Sequence, residues 1–366
     1  MSGGANTSDE SSPAIDKLSP AIDKSSLAID TAALGPYLEA HIPGFAGLSS
    51  IEKFTSGQSN PTYLLTAASG RYVLRATPPG QLLKSAHQVD REFRVMQALA
   101  GTAVPVPRML HLSGEESPIG RMFYVMEYLD GRIFWDPSLP DASGNDERAA
   151  IYDAMNVTLA ALHDVDVDAV GLGDFGKPGS YFARQLARWT GQYRASETET
   201  ITDIDRLIAW LETHMPADDG RVSLVHGDYR LDNMMFAPGA PKVIAVLDWE
   251  LSTLGHPFAD LAYQCMQWRL PHASGFRGLG GVDRAAAGLP SEEAYVAAYC
   301  RRRGIEAIDN WSFFLAFAFF RLAAICQGVY RRALDGNASN PERAKTYGQA
   351  VKLIAIRAAE LIDRKN

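Results

Sequence analysis

The sequence predicts an α+β fold in two lobes, a small antiparallel β-sheet lobe followed by a larger, mainly helical one. Three observations predict it. Between residues 50 and 128 the apolar residues fall in short, strand-length runs separated by turn residues. From residue 145 onward they recur at helical spacing in long segments. Within that second half, three short apolar runs at 222–225, 234–236 and 243–247 interrupt the helical pattern. A cleft between two such lobes is the natural place for a ligand.

Residues 1–30 read as a flexible leader. They hold a degenerate seven-residue repeat: Ser12-Pro13-Ala14-Ile15-Asp16-Lys17, Ser19-Pro20-Ala21-Ile22-Asp23-Lys24 and Ser26-Leu27-Ala28-Ile29-Asp30. One isoleucine per repeat, with proline in two of them, is too thin a seam for a coiled coil. Residues 31–130 form the first lobe and its hinge. A helix over 31–41 stops near Pro43-Gly44, and strands follow at 50–55, 63–67 and 71–76, with Ala68-Ser69-Gly70 as the hairpin between the last two. The loop Ser56-Gly57-Gln58-Ser59-Asn60 joins the first pair. Small residues there let backbone N–H groups approach phosphate oxygens, although one Gly among polar residues also suits a plain turn. A helix over 86–99 stacks Val89, Phe93, Met96 and Leu99 on one face, with Glu92 beside them. Strands at 108–112 and 121–128 complete the lobe, and Leu129-Asp130-Gly131 leads into the second.

Residues 131–366 form the helical lobe, with helices at 147–163, 180–193, 203–214, 257–269, 291–303, 310–334 and 341–364. The apolar run 313–320 is far short of the roughly 20 residues that span a bilayer, so it reads as a buried core helix. No membrane partner is expected. Among the 366 residues, 46% are hydrophobic, ample for a core, and the net charge of −8 argues against a nucleic-acid partner. Cys265, Cys300 and Cys326 lack metal spacing and read as reduced, buried thiols of a cytoplasmic protein. Residues 1–10 are polar and acidic, without the features of an export signal.

The stretch that carries chemistry is Val225-His226-Gly227-Asp228-Tyr229-Arg230-Leu231-Asp232-Asn233, followed by Val246-Leu247-Asp248-Trp249-Glu250. Asp228, Asn233 and Asp248 each stand at the end of a short apolar run, where a rigid strand holds oxygen donors at fixed separation. Three such oxygens suit a hard cation. His226 reads as a packing residue that braces the loop.

These segments resemble the aminoglycoside phosphotransferase and choline kinase-like family, which has a protein-kinase-like fold. The likeness runs over roughly residues 51–362. His226-Gly227-Asp228 with Asn233 matches the family's His-Gly-Asp signature, and Asp248-Trp249-Glu250 matches its metal-binding segment. The chain is similar, more closely, to the phosphotransferase domain fused ahead of certain acyl-CoA dehydrogenases. That likeness rests on Ser56 to Tyr63, Arg91-Glu92-Phe93-Arg94 and Val170-Gly171-Leu172-Gly173-Asp174-Phe175-Gly176; no dehydrogenase segment accompanies them, so the domain is read as standing alone.

The resemblance implies an ATP- and Mg²⁺-dependent transfer of the γ-phosphoryl group to a hydroxyl of a small molecule. Such transfer needs an oriented hydroxyl, a metal bridging phosphates and positive charge on the spreading anion. Asp228 takes the catalytic role, while Asn233 and Asp248 hold the metal. Ser56, Gly57, Gln58, Ser59 and Asn60 face the phosphates. Arg75 stands where relatives carry a Lys and pairs with Glu92 to position nucleotide phosphates, and Glu127, Tyr128 and Leu129 meet adenine through their backbone. Glu250 is either a further metal or substrate contact or a salt-bridged side chain. Asp260 supports the catalytic loop. The dehydrogenase-fused relatives point to a hydroxy acid or hydroxyacyl thioester as acceptor, and Arg184, Arg188, Trp268, Arg269 and Arg321 are the groups that would suit an anion. Two alternatives are a nucleotide-binding pseudokinase and an aminoglycoside kinase.

Overall fold

The computed structural model describes residues 22–23, 29–54, 60–78, 88–114, 117–272, 278–336 and 341–363. Most of the leader, and with it most of the seven-residue repeat, lies outside them. So do Ser56, Gly57, Gln58 and Ser59. The first lobe is built on β1 (Ile22–Asp23), β2 (Leu48–Phe54), β3 (Thr62–Ala67), β4 (Gly70–Ala76), β5 (Met109–Leu112) and β6 (Phe123–Glu127). They form one antiparallel sheet in the order β1-β2-β3-β4-β6-β5.

Alternation along the strands sorts side chains to two faces. Leu65, Leu74, Phe123 and Val125 pack on one side with Leu34 and Leu38 of α1 (Thr31–His41). Val73, Tyr124 and Met126 pack on the other with Val89, Val95, Met96 and Leu99 of α2 (Val89–Leu99). The period of two therefore puts Arg75, two residues past Val73, on the α2 face.

After the hinge the chain docks onto the second lobe. Arg132 and Phe236 exchange both backbone hydrogen bonds, each at 2.8 Å. Gly131 makes this approach feasible, because a Cβ there would stand 2.4 Å from Met235 Cγ and 2.8 Å from the Phe236 carbonyl oxygen. The second lobe contains α3 (Asn145–His163), α4 (Tyr181–Ser196), α5 (Thr202–Thr213), α6 (Phe258–Met266), α7 (Glu292–Arg303), α8 (Trp311–Leu334) and α9 (Pro341–Ile362). Two small ribbons sit among them: β7 (Ser223–Val225) with β10 (Thr253–Gly255), and β8 (Met234–Phe236) with β9 (Val243–Val246).

Two differences from the sequence expectations have local causes. The helix expected to reach residue 269 ends at Met266, and the chain turns back so that the Leu279 N–H donates to the Gln267 carbonyl. The strand β10 was not expected: three residues give no readable alternation, and it exists through its pairing with β7. At 24 residues α8 is long and apolar enough to cross a bilayer, but Phe313 through Phe320 are buried in the protein core. Neighbouring helices cover most of its apolar surface, while Leu334 at its end is exposed.

Candidate active site

The loop between β7 and β8 is held from below by one carboxylate. Asp260, fully buried in the first turn of α6, accepts hydrogen bonds from the backbone N–H groups of His226 at 2.6 Å and Gly227 at 2.8 Å. His163 Nε2 lies 3.5 Å from it and in turn contacts the Tyr299 hydroxyl through Nδ1 at 2.7 Å. Burial works against ionisation of Asp260, but His163, His226 and the Gly227 N–H outweigh it and hold its pKa below the usual value. Burial lowers the His163 pKa.

His226 bridges two segments. Its Nε2 lies 2.9 Å from the Leu247 carbonyl, and its Nδ1 accepts from the Asp228 N–H at 3.2 Å. With Nδ1 accepting from that N–H, Nε2 is the nitrogen that donates to the Leu247 carbonyl. The ring packs 4.7 Å from the buried Trp249, whose indole N–H donates to the Val246 carbonyl at 2.9 Å. Gly227 has φ +83°, and a Cβ on it would stand 2.5 Å from the Leu251 carbonyl oxygen. Only glycine lets the two loops close.

Asp228 is thereby presented at the loop's edge. Asn233 Nδ2 donates both to its backbone carbonyl, at 2.9 Å, and to its Oδ2, at 2.8 Å. Burial would raise the Asp228 pKa, but Arg230, His226 and a hydrogen bond from Tyr263 overcome that and hold it below the usual carboxylate range. Arg230 sits 3.8 Å from Asp228 and 2.6 Å from Asp232. On the neighbouring ribbon, the Leu247 N–H donates to the Asn233 carbonyl at 2.8 Å, which sets Asp248 beside Asn233. Asp248 adopts a left-handed backbone, φ +67°, as the chain turns sharply out of β9.

Arg75 crosses from the other lobe. Its guanidinium contacts Glu92 Oε2 at 3.0 Å, Asp248 Oδ1 at 2.7 Å and Glu250 Oε2 at 3.9 Å. Glu92 is fully buried and also receives hydrogen bonds from Asn60 Nδ2 at 2.8 Å and the Tyr124 hydroxyl at 3.2 Å. Burial lowers the Arg75 pKa, yet Glu92 and Asp248 raise it further, so the guanidinium remains charged. Burial pushes the Glu92 pKa up against the opposing field of Arg75.

The structure thus brings together Arg75 and Glu92 of the first lobe with Asp228, Asn233, Asp248 and Glu250 of the second, and Arg75 bridges the two through Asp248. Asn60 faces inward to Glu92 and is only 2% exposed, so it does not offer its side chain to the cleft. At the hinge, Glu127 accepts from the Arg108 N–H at 2.8 Å, Tyr128 lies under the Arg71 guanidinium at 4.1 Å, and Leu129 is half-buried. Among the described residues no cluster of three His, Cys, Asp or Glu side chains forms a metal site. The donors at hand are one amide oxygen and one carboxylate. Asn233 has committed its nitrogen to Asp228, so its oxygen is the atom it can offer, alongside the Asp248 Oδ2. Two hard oxygens fit Mg²⁺, which takes few protein ligands and keeps phosphate and water as the rest.

Several of the expected anion-binding groups have other work. Arg269 makes a two-pronged bond to Glu292 at 2.8 and 2.9 Å, Trp268 Nε1 donates to the Pro290 carbonyl at 2.8 Å, and Arg184 donates to the Lys177 and Pro178 carbonyls. Arg188 is exposed, while Arg321 is buried. Sequence reasoning gave no role to Arg91 and Arg94 beyond resemblance. Arg91 donates to the Phe175 carbonyl at 3.0 Å and the Ser252 carbonyl at 3.3 Å and stacks on the Phe175 ring, while Arg94 pairs with Asp174. These contacts latch α2 of the first lobe to the second. Tyr263 and His163 were also missed, because their partners lie 35 or more positions away in sequence, as between His163 and Asp260 at a separation of 97.

Comparison with known proteins follows the same lines. Residues 50–309 match the model of the "Phosphotransferase enzyme family". The chain is 50% identical over 309 residues to acyl-CoA dehydrogenase family member 10 of Mus musculus, covering 83% of this chain and 29% of that protein. It is 43% identical over 315 residues to family member 11 of Homo sapiens, covering 85% of this chain and 40% of that protein. The chain thus spans well under half the length of these curated relatives. A crystal structure of a candidate aminoglycoside phosphotransferase from Ralstonia eutropha superposes with a TM-score of 0.83 at 49% identity, covering 91% of this chain and 98% of that one.

Proposed function

Because the chain belongs to the phosphotransferase enzyme family, we propose that it is a small-molecule kinase that uses ATP and Mg²⁺ to phosphorylate a hydroxyl group. The observation that carries this reading is the juxtaposition of an ionised Asp228, pinned by Asn233, with Asp248 gripped across the cleft by Arg75. Mg²⁺, when bound by Asn233 and Asp248, supplies charge neutralisation to phosphate oxygens. Asp228, kept as a carboxylate by Arg230 and Tyr263, accepts the proton of the acceptor hydroxyl and orients its oxygen. Asn233 holds that carboxylate in one rotamer, and Asp260 holds the loop on which both stand. Arg75 and the buried Glu92 place a permanent positive charge where nucleotide phosphates would lie.

The acceptor is a hydroxy acid or hydroxyacyl thioester in this reading, supported by the likeness to the acyl-CoA dehydrogenase family members and by Arg321, a buried cation with no carboxylate partner among the described residues. An aminoglycoside, being a polycation, would meet that charge unfavourably. The buried, unpaired Cys265, Cys300 and Cys326 support a reducing, cytoplasmic setting.

The Arg75–Asp248 ion pair favours a second reading, a pseudokinase, since it engages the phosphate-facing cation with a carboxylate assigned to metal. Radiolabelled ATP with Mg²⁺ and a panel of hydroxy acids, hydroxyacyl-coenzyme A thioesters and aminoglycosides separates the two. Transfer to a hydroxyl is the expected outcome. Mg²⁺-ATP binding with no transfer to any acceptor would select the pseudokinase.

A further inference from the structure

Among the described residues Arg321 is the one arginine that is buried. It projects from α8, is 6% exposed, and its guanidinium carbon lies 5.5 Å from the Trp189 ring centroid and 5.2 Å from that of Tyr263. Among the described residues no carboxylate stands within ion-pairing distance of it. Half-buried arginines of the same lobe have oxygen partners: Arg132, Arg269 and Arg303 pair with Glu147, Glu292 and Asp164, while Arg148 and Arg184 donate to backbone carbonyls. A buried cation held only by aromatic faces is costly unless an oxygen-bearing group completes its shell.

The segments that supply those two rings also carry buried polar atoms without partners. Gln264, the residue after Tyr263 on α6, is fully buried, and neither its Oε1 nor its Nε2 has a partner among the described residues. Trp189 Nε1 and Thr190 Oγ1 of α4 and Gln267 Oε1 share that condition. Native interiors leave few such atoms, and each costs about 1–3 kcal/mol. The cluster lies next to the proposed catalytic loop, because Tyr263 stands one turn after Asp260 on α6, whose carboxylate holds His226 and Gly227, and both Tyr263 and Arg321 favour the ionised form of Asp228. Arg230, the other nearby cation, is already matched by Asp232 and Asp228. Arg321 is the surplus positive charge.

We propose that Arg321 binds an acyl oxygen of the acceptor, the carboxylate of a hydroxy acid or the carbonyl of its thioester, and so selects molecules whose hydroxyl is carried on an acyl chain. This rests on the phosphotransfer reading for the reacting hydroxyl, but not for the binding itself. Arg321 sits against the faces of Trp189 and Tyr263, which hold the guanidinium in place.

The test uses the full chain with Mg²⁺-ATP and three acceptor sets: 2-, 3- and 4-hydroxybutyrate, their coenzyme A thioesters, and the matching butanediols that lack an acyl oxygen. The wild type should prefer an acyl acceptor to its diol. Arg321→Gln should lower that preference, as a ratio of kcat/KM values, by about 10- to 100-fold, the range expected for a charge-assisted hydrogen bond, and Arg321→Lys should recover part of it. A larger loss for the acids than for the thioesters assigns the carboxylate, and the reverse assigns the carbonyl. Equal losses for acyl acceptors and diols, or no preference in the wild type, would overturn the inference. Binding of the same compounds, followed by tryptophan fluorescence, separates this inference from the phosphotransfer reading. Acyl-dependent binding that weakens in Arg321→Gln, without turnover of any acceptor, would retain Arg321 as the acyl-binding residue and reject transfer. Absence of acyl-dependent binding and turnover together would reject the role of Arg321. Arg321→Met, which keeps the packing against the two rings, guards against a variant that merely misfolds.

Discussion

Asp260 offers the sharpest test of how the loop is held. Its carboxylate accepts two backbone N–H groups, from His226 and Gly227, in a site with no exposure to solvent. Asp260→Ala leaves both donors without an acceptor. At about 1–3 kcal/mol for each buried orphan, the variant should lose roughly 2–6 kcal/mol of stability. Asp260→Asn keeps one acceptor oxygen and turns an amide N–H₂ toward the other donor, so it should fall between Ala and the wild type. The pH dependence follows from the sign of the shift. The folded-state pKa of Asp260 lies below the ordinary 3.8, so its contribution is fully present above that value and is lost as pH falls through the folded-state pKa. Urea unfolding followed by circular dichroism at pH 7 and again below pH 4 is the assay. The gap between wild type and Asp260→Ala should be largest at neutral pH and shrink in acid. A midpoint in Asp260→Asn equal to that of the wild type at pH 7, or a gap that widens in acid, would refute the argument that this carboxylate clamps the loop.

Other substitutions test the remaining parts. Asp228→Asn should reduce phosphoryl transfer on the order of 10²-fold or more while nucleotide binding measured by calorimetry persists. Because its pKa is depressed in the free protein, the acid limb of kcat/KM in the wild type should lie below the ordinary 3.8; a limb centred near pH 6 would assign the base to another group. Arg75→Ala strands the fully buried Glu92 and should cost about 3–5 kcal/mol in denaturant unfolding, whereas Arg75→Lys keeps the charge and should lose less. Equal stability of Arg75→Ala and the wild type would show that Glu92 is neutral when the cation is absent. Gly227→Ala forces a Cβ against the Leu251 carbonyl and an L side chain into φ +83°; the thermal midpoint should drop, with about 1–2 kcal/mol from the backbone alone. Unchanged stability would mean that the two loops can move apart freely.

The sequence by itself determined the order and type of nearly all the elements, because strand alternation and helical spacing are local properties of the chain. Asp228, Asn233 and Asp248 were legible for a related reason: each stands at the end of a short apolar run, so proximity along the chain stood in for proximity in space. The Arg75–Glu92 pair could be anticipated through resemblance, but its extension to Asp248 could not. That contact spans 173 positions and exists only because the two lobes meet. The same holds for β10, whose three residues become a strand by pairing with β7, and for the Arg91 and Arg94 latch onto the loop at 170–176. Charge alone could not rank Arg184, Arg188, Arg269 and Arg321 as partners of an anion. Packing did: it committed Arg269 to Glu292 and Arg184 to backbone carbonyls, left Arg188 exposed, and placed Arg321 against two aromatic rings with no counter-ion among the described residues. A side chain's charge is written in the sequence, but whether that charge is already spent depends on neighbours that only the folded chain supplies.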